Sequence, residues 1–432
     1  MRLYQLPYHT TSLSLKIPEK NIRYYVDLEN PHTGKPNTDV ITEALQKAES
    51  VPLKEFVSDN RVGLIVEDAT RDIPLKDLLD VVCSSFLKAK SVTAFIATGT
   101  HDGNNDSNKN IINLLKASTD KFGYQLENIN INNCHEDSFY LTGITPGIHN
   151  EIFVHNESRD MDVFVVFSDM KNHYFAGYSN PIKNFIPGIC NYSTAERNHA
   201  LALKDESTFG HHPLHPNPQR RDNPLAKDMW EAYQLLSAGR ATFVLATISK
   251  KGKILWANAG HLKNVTEQGI LEVDRMMSRE VTAADRLIVS SGGYPNDESL
   301  YTAQRALELS KLGVKKGGEI LFLAGCQNGL GPEKSINNFY KPLTKDIPKI
   351  LSKLNQKYVM YSHKTYKFAK LIKQMNKIYM MGELSDPAIR KIHLFPVKNA
   401  QNIVDGWIKD DPQTSIGIVT EGNKIALHEK KL

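Results

Sequence analysis

Arg61-Val-Gly-Leu-Ile-Val66 is a short apolar run that stops abruptly at Glu67-Asp-Ala-Thr-Arg71. A run of this length without polar alternation suits a strand buried on both faces, as in a parallel sheet covered by helices. Pro74 follows where the first residue of a helix is expected, and Leu75, Leu78, Leu79, Val82 and Phe86 then recur on one helical face. A second apolar run, Val92-Thr-Ala-Phe-Ile-Ala97, ends in Thr98-Gly-Thr-His-Asp102. Strand, helix and strand in this order form a crossover unit, so the two strands are expected to be parallel.

Parallel neighbours end on the same edge of a sheet. Asp68 and Arg71 should therefore lie beside His101. A third run, Met161-Asp-Val-Phe-Val-Val-Phe-Ser168, leads into His173 at the same edge. Open α/β sheets bind ligands in the crevice outside the carboxyl ends of their strands. Three polar loops converging there are hard to explain by packing alone.

The pattern extends over the whole chain. At 432 residues it exceeds what one core usually supports, so two domains are expected. Ala241–Ile248 and Ile254–Ala257 read as an antiparallel pair. A second α/β unit begins with the strand Arg286–Ser290 and continues through strands at Glu319–Ala324, Lys377–Met381 and Ser415–Thr420, with Asn296 or Asp297 capping its first helix. The expected architecture is α/β in two domains, 1–275 and 276–432, each a mainly parallel sheet flanked by helices. The first would carry catalysis and cofactor binding, the second would complete the substrate pocket, and the active site would lie in the inter-domain cleft.

The bulk numbers narrow the function. Hydrophobic content of 41%, charge content of 23% and a formal charge of +5 are ordinary for a globular protein. No block of five or six Lys/Arg appears, so nucleic-acid or membrane binding has little support, while small anionic ligands fit. Cys83, Cys134, Cys190 and Cys326 are scattered without a CxxC pair and read as reduced thiols. The start of the chain lacks the apolar core of a signal peptide, and Val163–Phe167, the strongest apolar run, is far too short to span a bilayer. A cytoplasmic enzyme is expected.

The chemistry concentrates in His173-Tyr-Phe-Ala-Gly-Tyr-Ser-Asn-Pro-Ile-Lys183, with His199 sixteen residues further on. This segment holds a proton carrier, an amine able to carry a cofactor, and an imidazole of the kind that binds metals. Imidazole, with an ordinary pKa of about 6.5, both takes and gives protons near neutrality. His101 and His173 at the ends of different strands thus read as an acid/base pair, though either alone fits a loop histidine bound to backbone. Lys183 reads equally as a cofactor-bearing amine or as a lysine extending from a loop. Asp68 and Arg71 suit anion or ribose contacts. Ser193-Thr-Ala-Glu196 has the form of a capping box, which would hold His199 rigidly in the helix it opens. Gly210-His-His-Pro-Leu-His-Pro-Asn-Pro218 is histidine-rich, but its prolines prevent helical ligand geometry.

Asp-Ala-Thr-Arg (68–71), Thr-Gly-Thr-His (98–101), the spacing from His173 through Lys183 to His199, and Ser-Ser-Gly-Gly-Tyr-Pro (290–295) together resemble the nickel-dependent lactate racemase family across essentially the whole chain. The resemblance implies a nickel-pincer nucleotide, a pyridinium mononucleotide with sulfur arms joined to a lysine by a thioamide. Carried over by match, Lys183 is the tether, His199 the nickel ligand, His101 and His173 the acid/base residues, and Asp68 and Arg71 contacts to cofactor and substrate. Near-planar nickel takes soft sulfur plus nitrogen donors, so a single imidazole suffices from the protein. Tyr301, Thr302 and Arg305 fall at the substrate-binding positions. There Thr302 replaces a glutamine and Arg305 a lysine of lactate-acting members. Ser-Asn-Pro-Ile also precedes Lys183 where a glycine-rich run is expected.

The implied reaction is racemisation or epimerisation at C2 of a 2-hydroxy acid. Hydride passes to and from the tethered cofactor through a 2-keto acid held by Arg71 and Arg305. Lactate and larger acids, sugar acids included, are all compatible. Two bases serving opposite hands of a substrate distinguish a racemase from a one-way dehydrogenase. Expected partners are the small-molecule substrate and the enzymes that build the cofactor, with neither nucleic acid nor membrane. The competing readings are a nucleotide-binding α/β protein without nickel chemistry and a pyridoxal-phosphate enzyme using Lys183.

Overall fold

The computed structural model describes residues 1–28, 34–71, 73–103 and 106–430, apart from the side chain of Lys334. It is an α/β protein in two compact units, residues 30–273 and residues 1–29 with 274–432. The expectation of one continuous N-terminal domain over 1–275 is corrected at the start of the chain. The strand Ile22–Val26 pairs in parallel with Ile416–Val419, and so the first residues belong to the C-terminal unit.

The larger unit is built on a six-stranded sheet. Arg61–Glu67 lies between Ser91–Ala97 and Val163–Asp169, parallel to both. The strand Thr242–Lys250 adds in parallel beyond Val163–Asp169, and Lys253–His261 closes that edge in antiparallel sense. The apolar runs are buried on both faces, as their lack of alternation requires. Leu64 and Val66 join a core with Leu75, Leu78, Leu79, Val82 and Phe86. On the opposite face, Phe164 meets Phe185 edge-on at 5.3 Å, and Phe185 meets Tyr233 at 5.2 Å.

The smaller unit carries a second six-stranded sheet, parallel throughout, with Ala284–Ser290 and Val314–Leu323 at its centre. The hairpin Arg2–Tyr8/Thr11–Ile17 and the helix Ala400–Asp410 share a core with this sheet through Leu6, Leu15, Ile17, Val404 and Trp407.

Three helix starts differ from expectation. Pro74 is the N-cap of the helix Leu75–Val82 and not its first residue. Asn191, not Ser193, caps Tyr192–Ala200, its side chain accepting from the Thr194 N–H at 2.9 Å while Glu196 accepts from the Tyr192 hydroxyl. Ser299 caps Leu300–Ala303 because the Asp297 carboxylate is already engaged by the N–H groups of His9 and Gly325. In the last two cases a neighbouring polar side chain takes the terminal donor, whereas no side chain caps the helix after Pro74. The four cysteines are buried and no disulfide joins them. Among the described residues no helix is long and apolar enough to cross a membrane.

Candidate active site

The central parallel strands deliver their C-terminal residues to one edge. Asp68 is the first residue past Arg61–Glu67, and His101 follows Ser91–Ala97 in a tight turn closed by its own N–H to the Thr98 carbonyl at 3.0 Å. His101 Nδ1 lies 2.7 Å from Asp68 Oδ2. The Thr70 hydroxyl donates to Asp68 Oδ1 at 2.6 Å, and Arg71 Nε stands 4.0 Å from the same oxygen. Burial on its own would raise the Asp68 pKa. The charge and hydrogen bond of His101, with Arg71 and Thr70, outweigh burial and hold the carboxyl down at about 2. An ionised carboxylate only accepts, so His101 Nδ1 carries a proton, and in the neutral ring Nε2 is then the lone-pair nitrogen. His101 is thus set up as a base, with a buried anion to stabilise its cationic form.

His173 ends the short strand Lys171–His173, which pairs with Gly177–Ser179. Its Nδ1 accepts from the Ala176 N–H at 3.2 Å, which places the neutral ring's proton on Nε2. The two histidines therefore rest in opposite tautomers. The hairpin between them and Lys183 is tight. Gly177 has φ +78°, and a Cβ there would sit 1.9 Å from the His211 carbonyl oxygen, so only glycine fits.

Phe175 gathers the remaining residues. Its ring centroid is 4.5 Å from that of His173 and 5.4 Å from that of His199, and Lys183 Nζ lies 5.8 Å from it. Lys183 is not on a loop: it lies in the four-residue helix Ile182–Phe185. Asn184, next to it, donates to the Phe167 carbonyl at 2.7 Å and ties this helix to the strand Val163–Asp169. His199 is buried near the end of Tyr192–Ala200, and its Nδ1 faces the Ala195 carbonyl at 2.9 Å. A carbonyl accepts only, so Nδ1 carries the proton and Nε2 the lone pair. Burial first, then the charges of Lys183 and His101, push its pKa down to about 3, against the Ala195 contact. This imidazole stays neutral at physiological pH, as a metal ligand must.

Two supports had no clear sequence signal. Burial, then the charge of Asp169, raise the Glu67 carboxyl to about 7 against Arg71 and Lys171. Its Oε1 accepts from the Ser168 hydroxyl and the Asp169 N–H, both at 3.2 Å. His212, in the proline-rich loop, is buried and is kept neutral by burial, His215 and Lys183. It lies 3.4 Å from the Asn180 side chain, so this loop packs beneath the lysine segment. Among the described residues no three His, Cys, Asp or Glu side chains gather as a metal cage.

Tyr301, Thr302 and Arg305 belong to the C-terminal unit. Thr302 shares a 3.1 Å hydroxyl contact with Ser299, and Arg305 opens the helix Arg305–Ser310. The Tyr301 ring lies 5.9 Å from Phe339 and 6.4 Å from Tyr361.

Residues 8–210 match the model of the lactate racemase N-terminal domain, and residues 279–425 match that of the lactate racemase C-terminal domain. The chain belongs to the lactate racemase family. It is similar along 99% of both chains to the lactate racemase of Thermoanaerobacterium thermosaccharolyticum, at 22% identity. It is 24% identical to that of Lactiplantibacillus plantarum over 77% of each chain. The lactate racemase apoprotein structure from the former organism superposes with a TM-score of 0.85 at 20% identity, covering 99% of this chain and all of that one. A Thermotoga maritima protein superposes with a TM-score of 0.60 at 15% identity, over 94% of this chain and all of its own. Membership in the lactate racemase family makes the chain an isomerase of the racemase type.

Proposed function

We propose that the chain inverts C2 of a 2-hydroxy acid with the help of a nickel-pincer nucleotide, Lys183 bearing the nucleotide and His199 binding the nickel. The observation that carries this reading is the meeting of His173, Lys183 and His199 around Phe175. A group that brings its own sulfur and carbon donors asks the protein for one neutral imidazole, and buried His199 fits that requirement. When bound, the group would supply an acceptor for the C2 hydride, which is the chemistry that inversion at C2 needs and no side chain offers.

The chain's own residues handle the proton and the carboxylate. His101, with its lone pair on Nε2 and Asp68 behind it, takes the hydroxyl proton. Giving a proton back from His173 requires its cationic form, in which Nδ1 becomes a donor and the contact with the Ala176 N–H must break. Arg71 offers a guanidinium for the substrate carboxylate. The substrate is lactate or a larger 2-hydroxy acid, the setting is the cytoplasm, and maturation depends on the enzymes that make the cofactor.

The test is a panel of 2-hydroxy acids with protein co-expressed with those enzymes, following loss of optical rotation and exchange of the C2 hydrogen. Interconversion of at least one pair of enantiomers is expected, reduced roughly 100-fold or more in each of His101→Ala and His173→Ala. Full activity in both variants would refute the assigned roles.

A further inference from the structure

The Phe175–Ala176 peptide is held from both sides. Its N–H donates to His173 Nδ1 at 3.2 Å, and its carbonyl accepts from the side-chain amide of Asn223 at 2.9 Å. A peptide is planar, so fixing the carbonyl fixes the direction of the N–H. Accepting at the carbonyl also polarises the unit and strengthens the N–H as a donor. Asn223 therefore reaches His173 through one rigid group, although it is far away in sequence.

Every polar atom of Asn223 is engaged. Its Oδ1 accepts from the Ala226 N–H at 3.0 Å and caps the helix Pro224–Leu236. Its Nδ2 donates to the carbonyls of Phe175 and, at 3.1 Å, of Thr208. One N–H and two carbonyls around it leave a single orientation for the amide. The residue is 0% exposed. Capping alone does not call for asparagine, since aspartate or serine caps as well and brings no amide to bury. The two donated hydrogen bonds are what asparagine adds.

The helix that carries the cap is a fixed platform. Its Tyr233 donates to the Thr242 hydroxyl on the strand Thr242–Lys250 at 3.0 Å. The Tyr233 ring lies 5.2 Å from that of Phe185, on the helix of Lys183. Asn198, beside His199, donates to the Leu225 carbonyl at 3.1 Å and to the Asp228 carboxylate at 2.9 Å, both on this helix. The segments of His173, Lys183 and His199 are thus all referred to one element.

We propose that Asn223 is a positioning residue for His173: by fixing the Phe175–Ala176 peptide it sets the His173 ring and keeps it in the tautomer opposite to that of His101. The consequence for turnover rests on the racemase reading above.

The test begins with long-range nitrogen–proton NMR spectra of the full-length protein, isotope-labelled at its histidine nitrogens. The His173 signals are assigned by their loss in His173→Gln. In the neutral ring Nδ1 should be bare and Nε2 protonated, and a protonated Nδ1 overturns the proposal without any further variant. Asn223→Ser keeps the cap but is too short to reach Phe175, and it should move the His173 Nδ1 signal. Tyr233→Phe loosens the same helix at Thr242 and should lower the melting temperature while leaving that signal in place. In holoenzyme, Asn223→Ser should lose about tenfold or more in kcat, as a misplaced reacting group does, with KM changed less than about threefold and the nucleotide on Lys183 retained. Asn223→Asp, which caps but turns an oxygen toward the Phe175 carbonyl, should lose at least as much. An unmoved signal with wild-type kcat in Asn223→Ser removes the role of Asn223 and leaves the racemase. Equal kcat losses in Asn223→Ser and Tyr233→Phe at equal melting temperatures do the same. A moved signal in a protein that takes up no nucleotide and inverts no 2-hydroxy acid keeps the hydrogen-bonded chain and refutes the racemase reading.

Discussion

Replacing Asp68 by asparagine isolates what the buried carboxylate does for His101. In the folded chain this carboxyl is held at about 2 against an ordinary 3.8, although burial opposes ionisation. Each decade of proton affinity is worth about 1.4 kcal/mol, so the contacts exceed the burial cost by roughly 2 kcal/mol. The side chain is 4% exposed, and solvent screening takes little from that figure. The 2.7 Å contact with His101 Nδ1 carries the largest favourable share. If half to all of the displacement from 3.8 to about 2 is felt when His101 becomes cationic, kcat/KM falls roughly 8- to 60-fold. An amide can also donate to Nδ1, moving the ring proton to Nε2 and removing the base, a change worth up to roughly 10⁴-fold in a serine protease. The assay is kcat/KM of holoenzyme for both enantiomers against pH. The variant should lose at least about eightfold in the direction where His101 is the base, with that direction's pH profile displaced. Activity within twofold of wild type at every pH would refute the pairing. Stability should respond as well. A depressed carboxyl pKa contributes stability present above the unfolded value and lost as pH falls toward 2. The wild type should therefore lose this contribution between about pH 5 and 2 while Asp68→Asn does not, as urea titrations at pH 3 and 7 would show.

Glu67 has the opposite sign. Its raised pKa makes the folded state less stable as pH climbs from about 4.5 to 7. Glu67→Gln should gain stability relative to wild type at pH 8 but not at pH 5. An equal difference at both pH values in denaturant titrations would show that the ionisation has no such cost. Phe175→Ala removes a ring 4% exposed at the meeting point of His173, His199 and Lys183, and should cost about 3–5 kcal/mol. Phe175→Leu should recover most of that stability but less of the activity, and activity tracking stability alone would deny Phe175 a positioning role. Gly177→Ala forces a Cβ against the His211 carbonyl and should prevent accumulation of folded protein, and a wild-type melting temperature would contradict the hairpin geometry.

The parallel sheet around Arg61–Glu67 was legible because its strands are uniformly apolar, and a strand that must be buried on both faces leaves few alternatives. The joint placing of Asp68, Arg71 and His101 followed from strand direction alone. The membership of residues 1–29 in the C-terminal unit was not legible, since pairing of Ile22–Val26 with Ile416–Val419 has no local signature. The helix caps were misassigned where several Asn, Asp and Ser residues adjoin, because composition does not say which carboxylate is already engaged elsewhere. Phe175 carries no sequence signal of its own, and its place appears only when three polar side chains are seen around one ring. Glu67 was hidden for a similar reason. Its partner Asp169 lies on the neighbouring strand, far away in sequence.

The proposed chemistry stands on Lys183 carrying a covalent nucleotide and His199 holding its metal. Intact-mass measurement with metal analysis, on protein matured alongside the cofactor-building enzymes, tests this directly. The expected result is a nucleotide-sized mass on Lys183 that survives denaturation, about one nickel per chain, loss of the adduct in Lys183→Ala and loss of the nickel in His199→Ala. An unmodified lysine and a nickel-free chain after maturation would contradict it.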